Sequence, residues 1–493
     1  NKGENDLKDV LSESIIYNKA MLKDMFGSSA DFYTKDITLF GFKGCICMFE
    51  NLSSIERLWI MMLDSLSKPE ITPKTSHEAF DFIFNNTAIP LDKTLVHTKA
   101  ELCTRLTAGT SVILLDGVNA GIVISTQSMQ FRGVQEPSGE GNIRGSREGF
   151  SELIRVNISM LRRLMRNTTF RTEILTVGKH TKTDIALCYD CKLVSKKMLC
   201  EVRENIKNAE LPFLFDTGYL APFLHKKQFS FFSSVGYTER PDTASAKICE
   251  GKIVILANGT PFAMIVPYFF SENFQSMDDY SAKAYFASFI RIMKYIAFFL
   301  SVMLPGVFVS IANFTPELFP EQLLYKIAAS ELATPMPLFL EALFITFLLE
   351  IVREAGLRMP KPIGHSVSLV AALIVGDAAV SAGIVGTPIV IIAAMTAICT
   401  FVVPSMYEPI TVLRLLFILL GGMFGPLGVI ILFALMLLNI CAMDSFGIPY
   451  TAPITPMSKG FLHDGILRVS WRTLGKNNFS VRKLKNIERK TNE

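Results

Sequence analysis

Catalytic signatures are missing from the 493 residues. There is no G-x-S-x-G, no Walker loop and no H-E-x-x-H, and the six histidines lie far apart. These absences argue against an enzyme and leave no motif for a bound cofactor or metal. Disulfide-like spacing is missing too. The nine cysteines are scattered, and the one C-x-x-C, Cys188 to Cys191 in ALCYDCKL, has no second pair beside it. Reduced thiols on ordinary strands, in a cytoplasmic setting, are expected over a metal site or redox dyad. Residues 1–30 hold no apolar stretch of the kind a secretory signal needs, and the chain opens on Asn1 rather than Met. A charge excess is also absent. Basic residues number 49 against 45 acidic, and aromatics do not alternate with the basic ones, which excludes a nucleic-acid partner.

What is abundant is apolar sequence, and it is unevenly spread. Blocks such as FIRIMKYIAFFLSVMLPGVFVSIANF, PLFLEALFITFLLEIV, PITVLRLLFILLGGMFG and PLGVIILFALMLLNICAM fill residues 289–443. Each approaches the ~20 residues needed to span hydrocarbon. The expectation is a polytopic helical transmembrane domain over 281–445, with roughly four to six spans because 364–404 reads as two spans or a re-entrant pair. Lys283, Arg291 and Lys294 precede the first span, Arg353, Arg358 and Lys361 follow the second, and Lys459, Arg468, Arg472 and Lys476 follow the last. The link from Phe314 to Pro335 carries three glutamates and one lysine and reads as a loop, as does Glu408 between Pro404 and Pro409. The positive-inside rule then places both termini, including the tail 446–493, in the cytoplasm.

Before the apolar half, one order of elements occurs twice. The first pass runs ITLFGFKGCICMF, two short strands around Lys43-Gly44, then helices from the capping boxes Ser53-x-x-Glu56 and Thr75-x-x-Glu78, then SVILLDGVNAGIVIS with an Asp116-Gly117 hairpin turn. The second runs EILTVGKHTKTDIALCYD, a helix through SKKMLCEVRENIKNA, and KIVILANGTPFAMIVP around Asn258-Gly259. Two small α/β subdomains are expected, 31–130 and 170–280, after an extension over 1–30; independent arrival at two hairpins is the alternative.

Between them, 131–169 holds a charged loop and an arginine-rich helix. Laid out at 100° per residue from Phe150, Leu153, Ile154, Ile158, Leu161, Leu164 and Met165 share a face, with Arg155, Arg162, Arg163 and Arg166 opposite. A solvated face accounts for such a pattern, as does an acidic partner or lipid headgroups offsetting the like-charge pairs.

The blocks EPSGEGNIRGSREGF, ERPDTASAKICEGKIVIL and EIVREAGLRMPKPIG, with VGDAAVSAGIVGTP, resemble the A subunits of the GerA family of spore germination receptors, from about residue 130 to 455. The resemblance implies a two-part cytoplasmic α/β region followed by a polytopic membrane domain. It implies a multi-pass protein of the spore inner membrane that works with a transporter-like B subunit and a lipoprotein C subunit. A subunits of this family are thought to assemble as a ring, a pentamer, forming a nutrient-gated channel for monovalent cations. A paralogous accessory channel without its own germinant is the rival within the family, and a secondary transporter or a non-conducting scaffold lies outside it.

The matched positions include Glu136, Glu140, Arg144, Arg147, Glu148, Arg162 and Arg163, then Glu239, Arg240, Pro241 and Asp242. Ser146 stands where the family usually has proline, and Asp444 where a glutamate is common. The first seven form a mixed-charge set that specific partners must satisfy, since unpaired buried charges cost several kcal/mol each. A contact between subdomains or between neighbouring subunits is expected there, ahead of membrane lipid.

In the membrane half, Asp377 lies inside an apolar run, and Ser366, Val370, Leu373, Asp377, Val380 and Ser381 fall on one helical stripe. Small residues favour close helix packing, but an intramembrane carboxylate is costly unless it faces a pore, cavity or partner. The stripe is the candidate pore lining, with a water-exposed end for Asp377 if the segment is re-entrant. Glu341 and Glu350 are the competing polar residues, and Arg353, Glu354 and Arg358 are candidates for coupling at the membrane edge.

Overall fold

A computed structural model describes residues 9–27, 29–50, 52–53, 73–85, 92–127, 137, 139–142, 144–225, 230–358, 377–455, 464–474 and 481. It divides into two compact units, Asn1–Lys226 with Val235–Tyr268 and Asn478–Glu493, and Lys227–Ser234 with Phe269–Asn477.

The first unit holds two five-stranded antiparallel sheets. In the first, β1 (Phe32–Leu39), β2 (Phe42–Phe49), β3 (Lys93–Val96), β4 (Ser111–Leu115) and β5 (Gly121–Ile124) lie in the order β1-β2-β4-β5-β3. In the second, β6 (Phe170–Val177), β7 (Thr183–Asp190), β8 (Gly236–Thr238), β9 (Ile253–Ala257) and β10 (Ala263–Val266) lie in the order β6-β7-β9-β10-β8. The two orders are the same, strand for strand.

Alternation along β2 sends Cys45, Cys47 and Phe49 to one face and Ile46 and Met48 to the other. The first face is covered by Leu22 and Phe26 of α1 (Ile15–Phe26) and by Leu102 and Leu106 of α3 (Lys99–Thr107). The second is covered by Phe80 and Ile83 of α2 (Ser76–Asn85). Each such side chain, fully buried, contributes about 1.5–3 kcal/mol. In the second sheet, α4 (Ile154–Leu164) and α6 (Pro241–Cys249) cover one face through Ile154, Ile158, Leu161, Ala244 and Ile248. Between them in sequence, α5 (Lys196–Lys207) buries Met198, Leu199, Val202 and Ile206.

Several local expectations need correction. The β1–β2 turn sits at Phe40-Gly41, with φ of 52° and 86°, rather than at Lys43-Gly44, which lies inside β2 and pairs with β4. Helix α4 starts at Ile154, so Phe150 and Leu153 precede it, and Leu153 and Leu164 are exposed. The Asp116-Gly117 and Asn258-Gly259 turns do join β4 to β5 and β9 to β10, with glycine φ of 86° and 100°. At Thr75-x-x-Glu78 the Glu78 N–H donates to Thr75 Oγ1 at 3.2 Å; Glu56 lies outside the described residues.

The second unit is helical. It contains α7 (Ala284–Phe314), α8 (Glu321–Leu332), α9 (Leu338–Arg358), α10 (Thr387–Val402) and α11 (Tyr407–Cys441). Two described stretches, Ala284–Phe314 and Pro404–Cys441, are long and apolar enough to cross a membrane. The link 314–335 is not a loop, because α8 occupies it, and Glu408 lies in the first turn of α11.

Helix α11 is broken at Gly425, whose φ of 63° and ψ of −147° are non-helical, with Pro426 next. The chain folds back there. Residues on either side of the break pack together, since a β-carbon on Gly421 would meet Val429 at 3.2 Å. The two ends also meet at one residue: Ser405 Oγ donates to the Asn273 main-chain carbonyl at 3.3 Å, and Asn273 Nδ2 donates to Tyr450 Oη at 3.4 Å. Helix α7 packs along this hairpin. Gly306 and Gly421 allow the approach, for a β-carbon on Gly306 would lie 2.5 Å from the Phe417 backbone.

Candidate functional site

Arg162 is the centre of the first unit's polar architecture. It is 1 % exposed, which corrects its placement on a solvated face. At 3.6 residues per turn it stands at the edge of the apolar stripe, one turn after Ile158, and its side chain bends under the helix. Nε and Nη2 donate to Asp31 Oδ2 and Oδ1, each at 2.8 Å. Nη2 also donates to Ser29 Oγ at 3.0 Å, and Nη1 to the Phe170 carbonyl at 3.1 Å. The guanidinium lies between the Phe49 and Phe170 rings, 4.5 and 4.4 Å from their centroids. Those rings belong to different sheets.

Main-chain bonds finish the joint. Ala30 N–H donates to the Thr172 carbonyl at 2.8 Å, Thr172 N–H to Ser29 Oγ at 3.2 Å, and Arg171 Nη2 to the Met25 carbonyl at 2.8 Å. Arg155, on the outer side of α4, pairs with Glu50 at the end of β2. The arginine helix therefore ties one α/β subdomain to the other within a chain. A bidentate, fully bonded pair of this kind fixes geometry; removing one partner strands a buried charge.

The charged loop before α4 closes on Thr238–Asp242. Thr238 Oγ1 donates to Glu140 Oε2 at 2.7 Å. Arg240 Nη1 donates to the Glu140 carbonyl at 3.3 Å and Nη2 to the Ser146 carbonyl at 2.8 Å, while the same guanidinium pairs with Asp242 at 2.6 Å. Phe150 N–H donates to the Glu239 carbonyl at 2.7 Å. Burial pushes the Glu140 carboxyl up to about 7, against the smaller opposing effect of the Thr238 bond. Glu148 pairs with Arg163 of α4. Arg144 and Arg147 are on the surface, and Glu136 lies outside the described residues. The partners Asp31, Ser29 and Thr238 were not found by sequence reasoning, because single polar residues at strand ends carry no pattern.

In the helical unit, Ser366, Val370 and Leu373 lie outside the described residues. Asp377 is exposed, Val380 half-buried and Ser381 exposed, on a short helical turn that ends at Gly383 with φ of 67°. Glu341 of α9 is 1 % exposed: Oε2 accepts from the Gly386 N–H at 2.9 Å, and Oε1 has no partner. Glu350 accepts from Arg414 and from Tyr407, and Arg414 Nη1 donates to Thr400 Oγ1 at 3.3 Å. Arg353 lies over the Tyr407 ring, and Glu354 pairs with Arg358 one turn on at 2.6 Å, exposed. Arg414 was visible in sequence as the one charge in PITVLRLLFILL, and its partner Glu350 is a helix away. Near the start of α7, Arg291 is wholly buried between Asp279 at 2.8 Å and Asp464 at 2.9 Å. Among the described residues no group of three or more His, Cys, Asp or Glu is placed to hold a metal ion.

Comparison with known proteins gives these positions a family. Residues 20–479 match the model described as Bacillus/Clostridium GerA spore germination protein. Spore germination protein KA of Bacillus subtilis is 35% identical over 94% of this chain and 86% of its own length. An uncharacterised membrane protein of the same organism, YfkQ, is 35% identical over 74% of this chain and 72% of its own. Among solved structures, the N-terminal domain of the A subunit of the Bacillus megaterium spore germinant receptor GerK3 is 24% identical, with a TM-score of 0.43, covering 53% of this chain and 97% of that one. The family match runs through both sheets, the arginine helix and the apolar helices alike, and the chain belongs to the GerA family of spore germination proteins.

Proposed function

We propose that this chain is the A subunit of a nutrient germinant receptor. In this reading it assembles as a ring, a pentamer, with a transporter-like B subunit and a lipoprotein C subunit. It spans the spore inner membrane several times, keeps both termini in the cytoplasm and conducts monovalent cations when nutrient is sensed. The observation that carries the reading is the family match, which is continuous over residues 20–479. The apolar helices and the name of the membrane protein relative support the membrane placement.

The pore lining is assigned to Ser366, Val370, Leu373, Asp377, Val380 and Ser381, with Asp377 as a cation-attracting ring. Arg353, Glu354 and Arg358 are assigned to coupling at the membrane edge. Glu136, Glu140, Arg144, Arg147, Glu148, Arg162 and Arg163 are assigned to subdomain or subunit contacts, and the Arg162–Asp31 pair supports the first.

The test is single-channel recording of the purified protein in planar bilayers under a potassium gradient, comparing wild type with Asp377→Asn. Cation-selective steps that lose conductance in the variant are the expected result. Steps unchanged by the substitution move the pore away from Asp377. Silence from verified oligomers, alone and with B and C subunits present, overturns the channel.

A further inference from the structure

Of the buried ionisable groups, Glu341 is the one whose surroundings are least complete. It sits on the first turn of α9, among Ile327, Leu338, Ala342, Ile345, Val385 and Ile389. Its Oε2 accepts the Gly386 N–H at 2.9 Å, which caps the 16-residue helix α10. The N-terminal end of that helix favours a negative charge beside it. The second oxygen, Oε1, has no partner. A proton placed on Oε1 would be a donor with no acceptor, and leaves the same atom unmatched. A cation matches it.

The neighbours are oxygens. Ser330 Oγ, from the last turn of α8, lies 2.5 Å from the point where a Gly386 β-carbon would stand, and Glu341 Oε2 lies 3.2 Å from that same point. The absence of a side chain at Gly386 is thus what lets hydroxyl and carboxylate converge. The Ala333 carbonyl lies 3.3 Å from the corresponding point on Gly383, three residues earlier. Oxygen donors of this kind suit hard cations, alkali ions among them. One carboxylate balances one positive charge, and no cluster of acidic residues or histidines accompanies it among the described residues, which favours a single charge over a divalent ion.

We propose that Glu341, through its unpartnered Oε1, binds a monovalent alkali cation between α8, α9 and the N-terminus of α10, with Ser330 Oγ, which converges with the carboxylate on Gly386, as a second oxygen. The site concerns ion binding and stands whether or not the chain conducts. The bound cation neutralises the carboxylate without removing the cap, and so strengthens the tie between Gly386 and α9 that the Gly386–Glu341 bond already makes.

The experiment uses the full chain in lipid nanodiscs at constant ionic strength and pH. N-methyl-glucamine chloride is exchanged for potassium or sodium chloride while thermal unfolding and the infrared difference spectrum of carboxylate bands are recorded. The expected result is a rise in melting temperature with potassium or sodium and a shift of a carboxylate band, both lost in Glu341→Gln and reduced in Ser330→Ala. Glu341→Asp keeps the charge but draws it back by one methylene; it serves if the glutamine variant does not fold, and is expected to need a several-fold higher cation concentration. A wild-type carboxylate spectrum indifferent to the alkali ion overturns the proposal, as does a response of equal size in Glu341→Gln. A Glu341 band that reports a protonated carboxyl at every salt overturns it in favour of a proton alone.

Discussion

Arg162 and Glu341 are both buried charges in one chain, and they are finished differently. Arg162 has its carboxylate, a hydroxyl, a carbonyl and two aromatic rings around it. Glu341 has one N–H on one oxygen and nothing on the other. A buried charge that is fully matched holds two pieces of fold in register, whereas one left half matched keeps a cost that a ligand can relieve. The α/β unit spends its buried charge on architecture; the helical unit keeps some in reserve.

The comparison breaks first at Arg162. Arg162→Ala leaves the Asp31 carboxylate buried without a counter-charge, with the Ser29 hydroxyl still on Oδ1, and is expected to destabilise the α/β unit by about 3–5 kcal/mol. Hydrogen exchange at Phe170–Val177 reads the loss, and a double-mutant cycle with Asp31→Ala should show most of it already spent in the first substitution. Survival of protection in that strand would mean the two sheets are held by apolar contact instead.

Gly306→Val is next. It places branched carbons against the Phe417 backbone, 2.5 Å from the position of the first of them, and is expected to cost about 1–3 kcal/mol as overpacking, read as a lowered melting temperature in detergent.

Glu140 sharpens the contrast through pH. Its folded value, about 7, is above the ordinary carboxyl value of 4.5. The folded state therefore binds more protons than the unfolded one between those limits, and the stability of the α/β unit should fall as pH rises from about 4.5 to about 7. The drop should be of order 2 kcal/mol, and Glu140→Gln should flatten it. Melting curves across that window decide the matter.

The smallest effect belongs to Arg358→Ala. Its pair with Glu354 is exposed at one turn's spacing, and loss of it should change stability by under about 0.5 kcal/mol. A large effect on gating with so small an effect on stability would mark Arg358 as a coupling residue.

Much of the fold is legible because its signals are local. Asp-Gly and Asn-Gly between alternating apolar runs demand positive φ, and Gly117 and Gly259 supply it. The short edge strands β3 and β8 are not legible, being four and three residues long with their registers set by neighbours. The helix wheel placed Arg162 beside the solvated arginines since it weighs charge and not reach; a long side chain at the stripe's edge follows whichever partner the tertiary fold supplies. For the same reason Glu140 was legible as a residue needing a partner, while Thr238 and Arg240 as its partners came only with the folded loop. In the apolar half, Glu341 and Glu350 announce themselves by composition, but which is satisfied depends on helices far apart in sequence.

The break at Gly425 has a consequence for how the chain is made. From Leu415 to Cys441 no residue carries a charge, and the two ends of the hairpin return to Asn273. A hairpin with an uncharged tip can enter a bilayer as one piece, with no charged segment translocated and with its ends left where synthesis delivered them. Under the membrane placement proposed above, Gly425 and Pro426 would lead that insertion, and a single charge placed there would have to be dragged through hydrocarbon before the packing described above could form.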